Sequence, residues 1–352
     1  MATVLAIETS CDETGVAIVK NREVYSNVVA SQIPIHRPYG GVVPEVASRQ
    51  HLEMVNPLIT QALMEADQDW TDIDAIASTC APGLVGALLV GITAAKSLAM
   101  VHQKPFLGIH HLEGHIYASY LSQPDLKPPF LCLLVSGGHT SLIRVIGCGQ
   151  YETLGQTRDD AAGEAFDKVA RLLNLGYPGG PVIDRLAASG NPQAFPLPEG
   201  RISLPGGGYH PYDSSFSGLK TAVLRLVDKL NQKGVELPLA DLAASFQDTV
   251  ARGLTKRAIA CALNYQLDTI TVGGGVAANS RLRHLLQEAA TENHLRVLFP
   301  PMKFCTDNAA MIACAAADHL EHDHTSPLTL GAYSRMAIAD VMKLFEWGVA
   351  TS

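Results

Sequence analysis

Leu131-Cys-Leu-Leu-Val-Ser-Gly-Gly-His-Thr-Ser-Leu-Ile-Arg-Val145 is the stretch on which the fold turns. Apolar runs at 130–135 and 141–146 flank the small turn Ser136-Gly-Gly-His-Thr140, a pattern that predicts an antiparallel hairpin. A similar hairpin stands near the amino terminus, where residues 4–7 and 15–19 are apolar around the polar turn Glu8-Thr-Ser-Cys-Asp-Glu-Thr14. Third strands are expected at 24–30 and 151–157. After the first set the pattern alternates: helix 44–66 with Pro44 in its first turn, strand 75–79, helix 84–100, strand 105–109, helix 111–121. After the second set comes helix 160–174, another helix opened by Pro178, and an irregular Pro- and Gly-dense insert at 190–217. Helices near 219–230 and 239–264 follow, then strand 268–272, a helix from 277, strand 296–299 and a helix from 306. Without the insert and its flanking helices, both halves read βββαβαβα. The proline-rich break at 122–129 divides them, giving one lobe at 1–126, completed by 321–352, and a second at 127–320.

The bulk properties bound the class. Of 352 residues, 47% are hydrophobic and 17% charged, the balance of a well-buried α/β protein with room for two cores. A net charge of −8 excludes a surface that attracts nucleic acid everywhere, but leaves space for local basic patches. Seven Cys without a C-x-x-C pair read as reduced thiols of a cytosolic chain. The amino terminus runs straight into a strand pattern with no basic leader. The apolar stretch 84–101 is interrupted by Lys96 and rich in Gly and Ala, which predicts a buried helix, not a membrane span.

His111 and His115 open a helix directly after a strand. Four residues apart, they share one helical face and can grip one divalent ion. Thirteen His in the chain make the spacing weak alone, and its placement is what raises it. The zinc-protease pattern H-E-x-x-H fails, because position 112 is Leu and Glu113 points to another face. Asp307, at a predicted helix start, either complements the helix dipole or supplies a third, oxygen ligand.

Glycine-rich turns mark a phosphate or nucleotide site. The turn after Leu134 and Val135 brings Ser136, Gly137 and Gly138 backbone N–H groups within reach of an anion, unless it is only a tight turn. Val272-Gly-Gly-Gly-Val-Ala-Ala-Asn279 sits between a strand and a helix and also fits the dinucleotide pattern G-x-G-x-x-A. The next strand, 296–299, ends without the acid that would grip a second ribose, which favours a mononucleotide. Asp167 and Asp184 lie on helical segments near these glycines, where they are either solvated or set to hold ribose hydroxyls.

A duplicated βββαβαβα lobe with one glycine-rich hairpin per lobe resembles the actin/sugar kinase/Hsp70 superfamily, an α/β fold with a cleft between its lobes. Specific motifs go further: Lys96-Ser, His102-Gln-Lys-Pro105, His111-x2-Gly114-His115-Ile116, Ile7 to Thr14, Val135-Ser-Gly-Gly-His-Thr140, Ala162-Gly-Glu-Ala-Phe-Asp-Lys168, Tyr177-Pro-Gly-Gly-Pro181, Phe216-Ser-Gly-Leu-Lys-Thr221, Gly273 to Asn279 and Cys305-Thr-Asp-Asn308. Together they resemble the family once called O-sialoglycoprotein endopeptidases and now understood as tRNA threonylcarbamoyladenosine-modification transferases. The resemblance covers roughly residues 3–320. It implies transfer of a threonylcarbamoyl group from threonylcarbamoyl-AMP to the N6 amine of the adenosine beside the anticodon, in tRNAs reading codons that begin with A. It further implies one divalent metal, iron with zinc as the alternative, on His111, His115 and Asp307. The adenylate would lie on Leu134, Val135, Ser136, Gly137, Gly138, Asp167, Gly180, Asp184 and Asn279. Asp12 is assigned to orienting the amine or a cation.

The implied partners are tRNA, a smaller protein of the same fold, a P-loop ATPase and a threonylcarbamoyl-AMP synthase, with no membrane and a cytoplasmic location. The Ala-rich helices of the first lobe are the expected docking face. The rivals are a metalloprotease, a kinase or Hsp70-like ATPase, and a noncatalytic partner protein.

Overall fold

The computed structural model describes residues 2–234 and 236–347. Strands β1 (Thr3–Glu8), β2 (Glu13–Lys20) and β3 (Glu23–Ser31) open the chain, followed by α1 (Ile33–His36), α2 (Pro44–Ala66), β4 (Ala75–Ala81), α3 (Val85–His102), β5 (Phe106–His110) and α4 (His111–Ser122). Next come β6 (Phe130–Val135), β7 (Thr140–Gly147), β8 (Gln150–Gln156), α5 (Ala162–Leu172), α6 (Gly179–Ala187), α7 (Ser217–Gln232) and α8 (Leu239–Asn264). The chain continues with β9 (Thr269–Gly273), α9 (Ser280–Glu292), β10 (Arg296–Leu298), α10 (Ala309–Glu321), β11 (His324–Thr325) and β12 (Glu346–Trp347).

The two large sheets are topological copies. One runs β3-β2-β1-β4-β5, the other β8-β7-β6-β9-β10. In each, the central strand is antiparallel to its hairpin mate (Val4↔Val19, Leu133↔Leu142) and parallel to the strand that returns after helices (Leu5↔Ile76, Leu131↔Ile270). Central strands covered on both faces read as unbroken apolar runs. Leu5, Ile7, Leu131 and Leu134 are fully buried. Each such side chain contributes roughly 1.5–3 kcal/mol relative to exposure.

The chain divides into two compact units, 1–128 with 146–152 and 300–352, and 129–145 with 153–299. The sequence reading grouped residues 300–320 with the second half. In the structure α10 packs within the first unit, on β1, β2 and α4. Its Met311 and Ile312 are fully buried. Gly114 of α4 makes the approach possible, since a Cβ there would meet Ile312 Cδ1 at 2.6 Å. The tip of the β7–β8 hairpin also belongs to the first unit.

Helix α3 differs from its expected full burial. By length and composition it is apolar enough to cross a membrane. It buries one face, Ala87, Leu88, Ile92 and Ala95, against β4 and α2, while Val85, Leu89, Met100 and Val101 are exposed. Three short elements carried no sequence signal: α1, and the β11–β12 pair.

Candidate metal centre and nucleotide loops

β5 ends at His110, and that residue caps α4: its Nδ1 accepts the Leu112 N–H at 3.2 Å. The strand-to-helix turn therefore sets His111 and His115 on one face of α4, their rings meeting edge to face with centroids 4.7 Å apart. Asn308, not Asp307, caps α10, accepting the Met311 N–H at 3.1 Å. That leaves Asp307 for other work. Its Oδ1 lies 3.5 Å from His111 Nε2 and 3.3 Å from His115 Nε2. The donor atoms of all three residues lie within 4.8 Å of one another.

These residues fit a metal ion. His115 is fully buried, yet among the described residues neither of its ring nitrogens makes a hydrogen bond. Its Nε2 is near Asp307, but the approach does not meet hydrogen-bond geometry. A buried imidazole without partners costs about 1–3 kcal/mol per group, and a cation removes that cost. Two imidazoles and one carboxylate suit iron or zinc.

The sequence reading missed Glu8, which completes this site. Fully buried, it accepts the Ser10 N–H and the Thr79 hydroxyl, each at 2.5 Å, and contacts His111 Nδ1 at 3.2 Å. Burial raises the Glu8 pKa, but the facing His111 outweighs it and holds the carboxyl below its ordinary range. Burial likewise opposes charge on His111, and the carboxylates of Asp307 and Glu8 prevail, lifting it to about 9. A carboxylate holding Nδ1 aims Nε2 at the ion. Glu8 was legible in principle, as the second residue of the Ile7 to Thr14 motif.

Asp12 lies on the β1–β2 turn, with its carbonyl accepting the Gln32 N–H at 2.9 Å. Glu13 beside it is pushed up to about 9 by burial and by the carboxylates of Asp12 and Asp307. Crowding of this kind keeps the Glu13 carboxyl neutral and leaves the charge to its neighbours.

The nucleotide-side residues belong to the second unit. Leu134 and Val135 are fully buried, so they position the turn and present no side chain to a ligand. One expectation is corrected: the Ser136 N–H donates to His139 O at 2.8 Å, so it cannot also meet an anion. Gly137 and Gly138 donate to nothing among the described residues, and a Cβ on either would meet open space. Their amides remain the anion donors. The loop is braced by Gly163 of α5, whose N–H donates to Ser136 O at 3.2 Å.

Asp184 and Asn279 come together, with Asn279 Nδ2 donating to Asp184 Oδ1 at 3.2 Å. The same oxygen accepts from Ser280 N and Oγ, and Asn279 Oδ1 caps α9 by accepting the Leu282 N–H at 3.0 Å. Asp167 accepts the Gly179 N–H at 2.7 Å, tying α5 to the start of α6, where Gly180 faces open space. The dinucleotide alternative falls here. Gly274 has φ +90, the next turn is 3₁₀ at Gly275–Ala278, and the sheet begins with an antiparallel hairpin where a Rossmann sheet is parallel.

A duplicated hairpin-led sheet of this order defines a fold of the actin/sugar kinase/Hsp70 class, and a His–His–Asp set in its first unit is a candidate metal site. Among solved structures, HypF of T. kodakarensis superposes with TM-score 0.62 at 15% identity, over 91% of this chain and 48% of that one. Component A of the (R)-2-hydroxyglutaryl-CoA dehydratase of Acidaminococcus fermentans gives TM-score 0.51 at 14% identity, over 90% and 99%. At such identities the likeness speaks for the fold alone. Sequence likeness is closer. A profile of the family described as "TsaD: tRNA N6-adenosine threonylcarbamoyltransferase" matches residues 23–314. The proteins of that name from Nostoc punctiforme and a Synechocystis strain are 76% and 72% identical over 346 residues, 98% of this chain and 99% of each relative. The chain belongs to the tRNA N6-adenosine threonylcarbamoyltransferase family.

Proposed function

We propose that this chain transfers the threonylcarbamoyl group of threonylcarbamoyl-AMP to the N6 amine of the adenosine next to the anticodon, in tRNAs reading codons that begin with A. The observation that carries the reading is likeness along nearly the whole chain to relatives named for that activity, including 76% identity to the Nostoc punctiforme protein. In the reaction a C–N bond forms between the amine and the carbamoyl carbon. The C–O bond to the adenylate phosphate breaks, AMP leaves with the electron pair, and the amine gives up a proton.

The donor is already an activated anhydride, so the protein's task is orientation and charge stabilisation. Gly137 and Gly138 amides meet the phosphate. Asp167 and Asp184 serve the ribose, with Gly180 and Asn279 beside them. Asp12 orients the amine or a cation. His111, His115 and Asp307 hold one divalent ion, iron by our assignment and zinc as the alternative. When bound, that ion supplies a fixed positive charge and Lewis acidity for the threonylcarbamoyl moiety. Partner proteins of the kinds named above, a smaller protein of the same fold, a P-loop ATPase and an adenylate-forming synthase, would complete a cytoplasmic pathway.

The protease reading loses further ground from Glu113, whose Oε1 accepts from Tyr151 at 2.6 Å and contacts His319 at 2.9 Å. It is engaged away from His111. The discriminating experiment supplies the chain with tRNA and threonylcarbamoyl-AMP, casein, or ATP with sugars, in parallel. Threonylcarbamoyladenosine in digested tRNA is the expected product. Casein cleavage or sugar phosphorylation without modified nucleoside would overturn the proposal.

A further inference from the structure

Glu113 belongs to a second buried polar cluster, on the far side of α4 from His111. His319 of α10 is fully buried, and its Nε2 contacts Glu113 Oε1 at 2.9 Å. An ionised carboxylate there keeps the ring proton on Nε2 and turns the Nδ1 lone pair the other way. Two groups converge on that one lone pair: Cys148 Sγ at 3.5 Å and His324 Nδ1 at 3.0 Å. An sp² nitrogen can accept from only one of them, and Cys148 also lies within reach of Tyr117 and Asp318, so the thiol sits at a junction of polar groups. The donor atoms of Cys148, His319 and His324 all lie within 4.8 Å of one another. The arrangement is built by the backbone. Cys148 sits at the tip of the β7–β8 hairpin beside Gly149 at φ +69, and a Cβ at 149 would meet Met342 Sδ at 2.2 Å. A glycine there gives room for Met342 of the C-terminal segment beside the tip.

We propose a second metal site, in which Cys148 Sγ, His319 Nδ1 and His324 Nδ1 bind one zinc ion. A tetrahedral ion with ordinary zinc bond lengths sets such donors about 3.3–3.6 Å apart. The two spacings through His319, 3.0 and 3.5 Å, need shifts of only a few tenths of an ångström, and Cys148 and His324 lie within 4.8 Å of each other. A thiolate and two imidazoles select zinc over magnesium or calcium. The charge is suited too: the ion and thiolate together carry one positive charge, and the carboxylates of Glu113 and Asp318 both face the cluster. On binding, the Cys148 S–H bond breaks, its proton passes to solvent, and the sulfur pair forms the bond to zinc. The fourth position is left to water. Bound zinc would clip the hairpin tip to the end of α10, the helix that follows Asp307. The inference rests on this cluster alone, apart from the transfer reaction.

Cobalt(II) in place of zinc separates the two sites, because only a thiolate ligand gives an intense sulfur-to-cobalt charge-transfer band in the near ultraviolet. The band is expected in the intact chain, and expected to persist in His111→Ala/His115→Ala. It should vanish, with loss of one bound equivalent, in Cys148→Ser and in His324→Ala. Circular dichroism checks that each variant is folded. Absence of the band from the intact chain overturns the proposal without reference to any variant. So does a band that survives Cys148→Ser, which would come from one of the other six cysteines.

Discussion

Glu8 lies behind the candidate metal centre and acts on it through His111. Its oxygens face Ser10, Thr79 and the outer nitrogen of His111, all buried. Glu8→Gln keeps the shape and removes the charge, so the ring loses the partner that orients it. Metal affinity should fall about 10–100-fold, read by competition with a chelator; affinity equal to the parent chain would mean Glu8 is only a packing residue. His115→Ala is the harsher test. Both of its ring nitrogens lack hydrogen-bond partners among the described residues, so the metal proposal assigns this side chain to the ion. Metal content and transfer should both be lost while far-ultraviolet circular dichroism stays unchanged. Retained metal in a folded His111→Ala/His115→Ala chain would rule the site out.

At the scale of elements, glycines decide where loops can go. A Cβ on Gly163 would sit 2.5 Å from Ser136 O and 2.8 Å from Gly137 Cα, both backbone atoms that cannot rotate away. Gly163→Ala must therefore move α5 or the Ser136 loop, at about 1–3 kcal/mol, and AMP binding should weaken with stability. Gly180→Ala is the control, because its Cβ meets nothing. It should leave the denaturation midpoint unchanged and weaken AMP alone. Unchanged AMP affinity in both would remove these loops from the nucleotide site.

The insert gives a pH test. Hydrogen bonds from Lys256 and Arg201 hold the Glu199 carboxyl at about 2, against an ordinary value of 4.5. A depressed carboxylate contributes stability that is full above 4.5 and fades as pH falls towards about 2. The stability gap between the parent chain and Glu199→Gln, about 1 kcal/mol or less for partly exposed pairs, should shrink from about pH 6 to about pH 3. A gap that widens on acidification would contradict the sign.

Much of this was readable in advance. Periodicity gave α2 and α8 closely, because both carry long apolar stripes and Pro44 suits the first turn of α2. It did not give Glu8, whose neighbours His111 and Thr79 are over seventy residues away in sequence. Nor did it give the Ser136–His139 hydrogen bond, which depends on the turn's actual dihedral angles.

For the whole molecule the ruling quantity is charge. The chain carries 34 acidic residues against 26 Lys and Arg, yet the proposed acceptor is a polyanion. The sequence places its candidate basic patches at Lys220, Arg225 and Lys229 on one helix, Arg281, Arg283 and His284 on another, and Arg201 in the insert, and most of these are spent within the fold. Lys220 lies 3.4 Å from Asp160, Arg281 2.7 Å from Asp248, and Arg201 2.9 Å from Glu199, while Arg283 donates to Ala277 O and stacks on Phe299. On α7, Arg225 and Lys229 are exposed and make no ion pair among the described residues. Each phosphate neutralised contributes about −0.7 to −0.9 to the slope of log affinity against log salt. These two cations of α7 therefore contribute a slope of only about −1.4 to −1.8, which predicts weak tRNA binding, shallower by about one unit in Arg225→Ala or Lys229→Ala. Efficient modification then needs surface from elsewhere. The apolar face of α3, with Val85, Leu89, Met100 and Val101 exposed, is where we place a partner in the first unit. Purified chain with tRNA and threonylcarbamoyl-AMP should turn over poorly, and faster once the partner proteins are added. Full multiple turnover by the chain alone, unchanged by the partners, would show that its own surface suffices and that the charge argument is wrong.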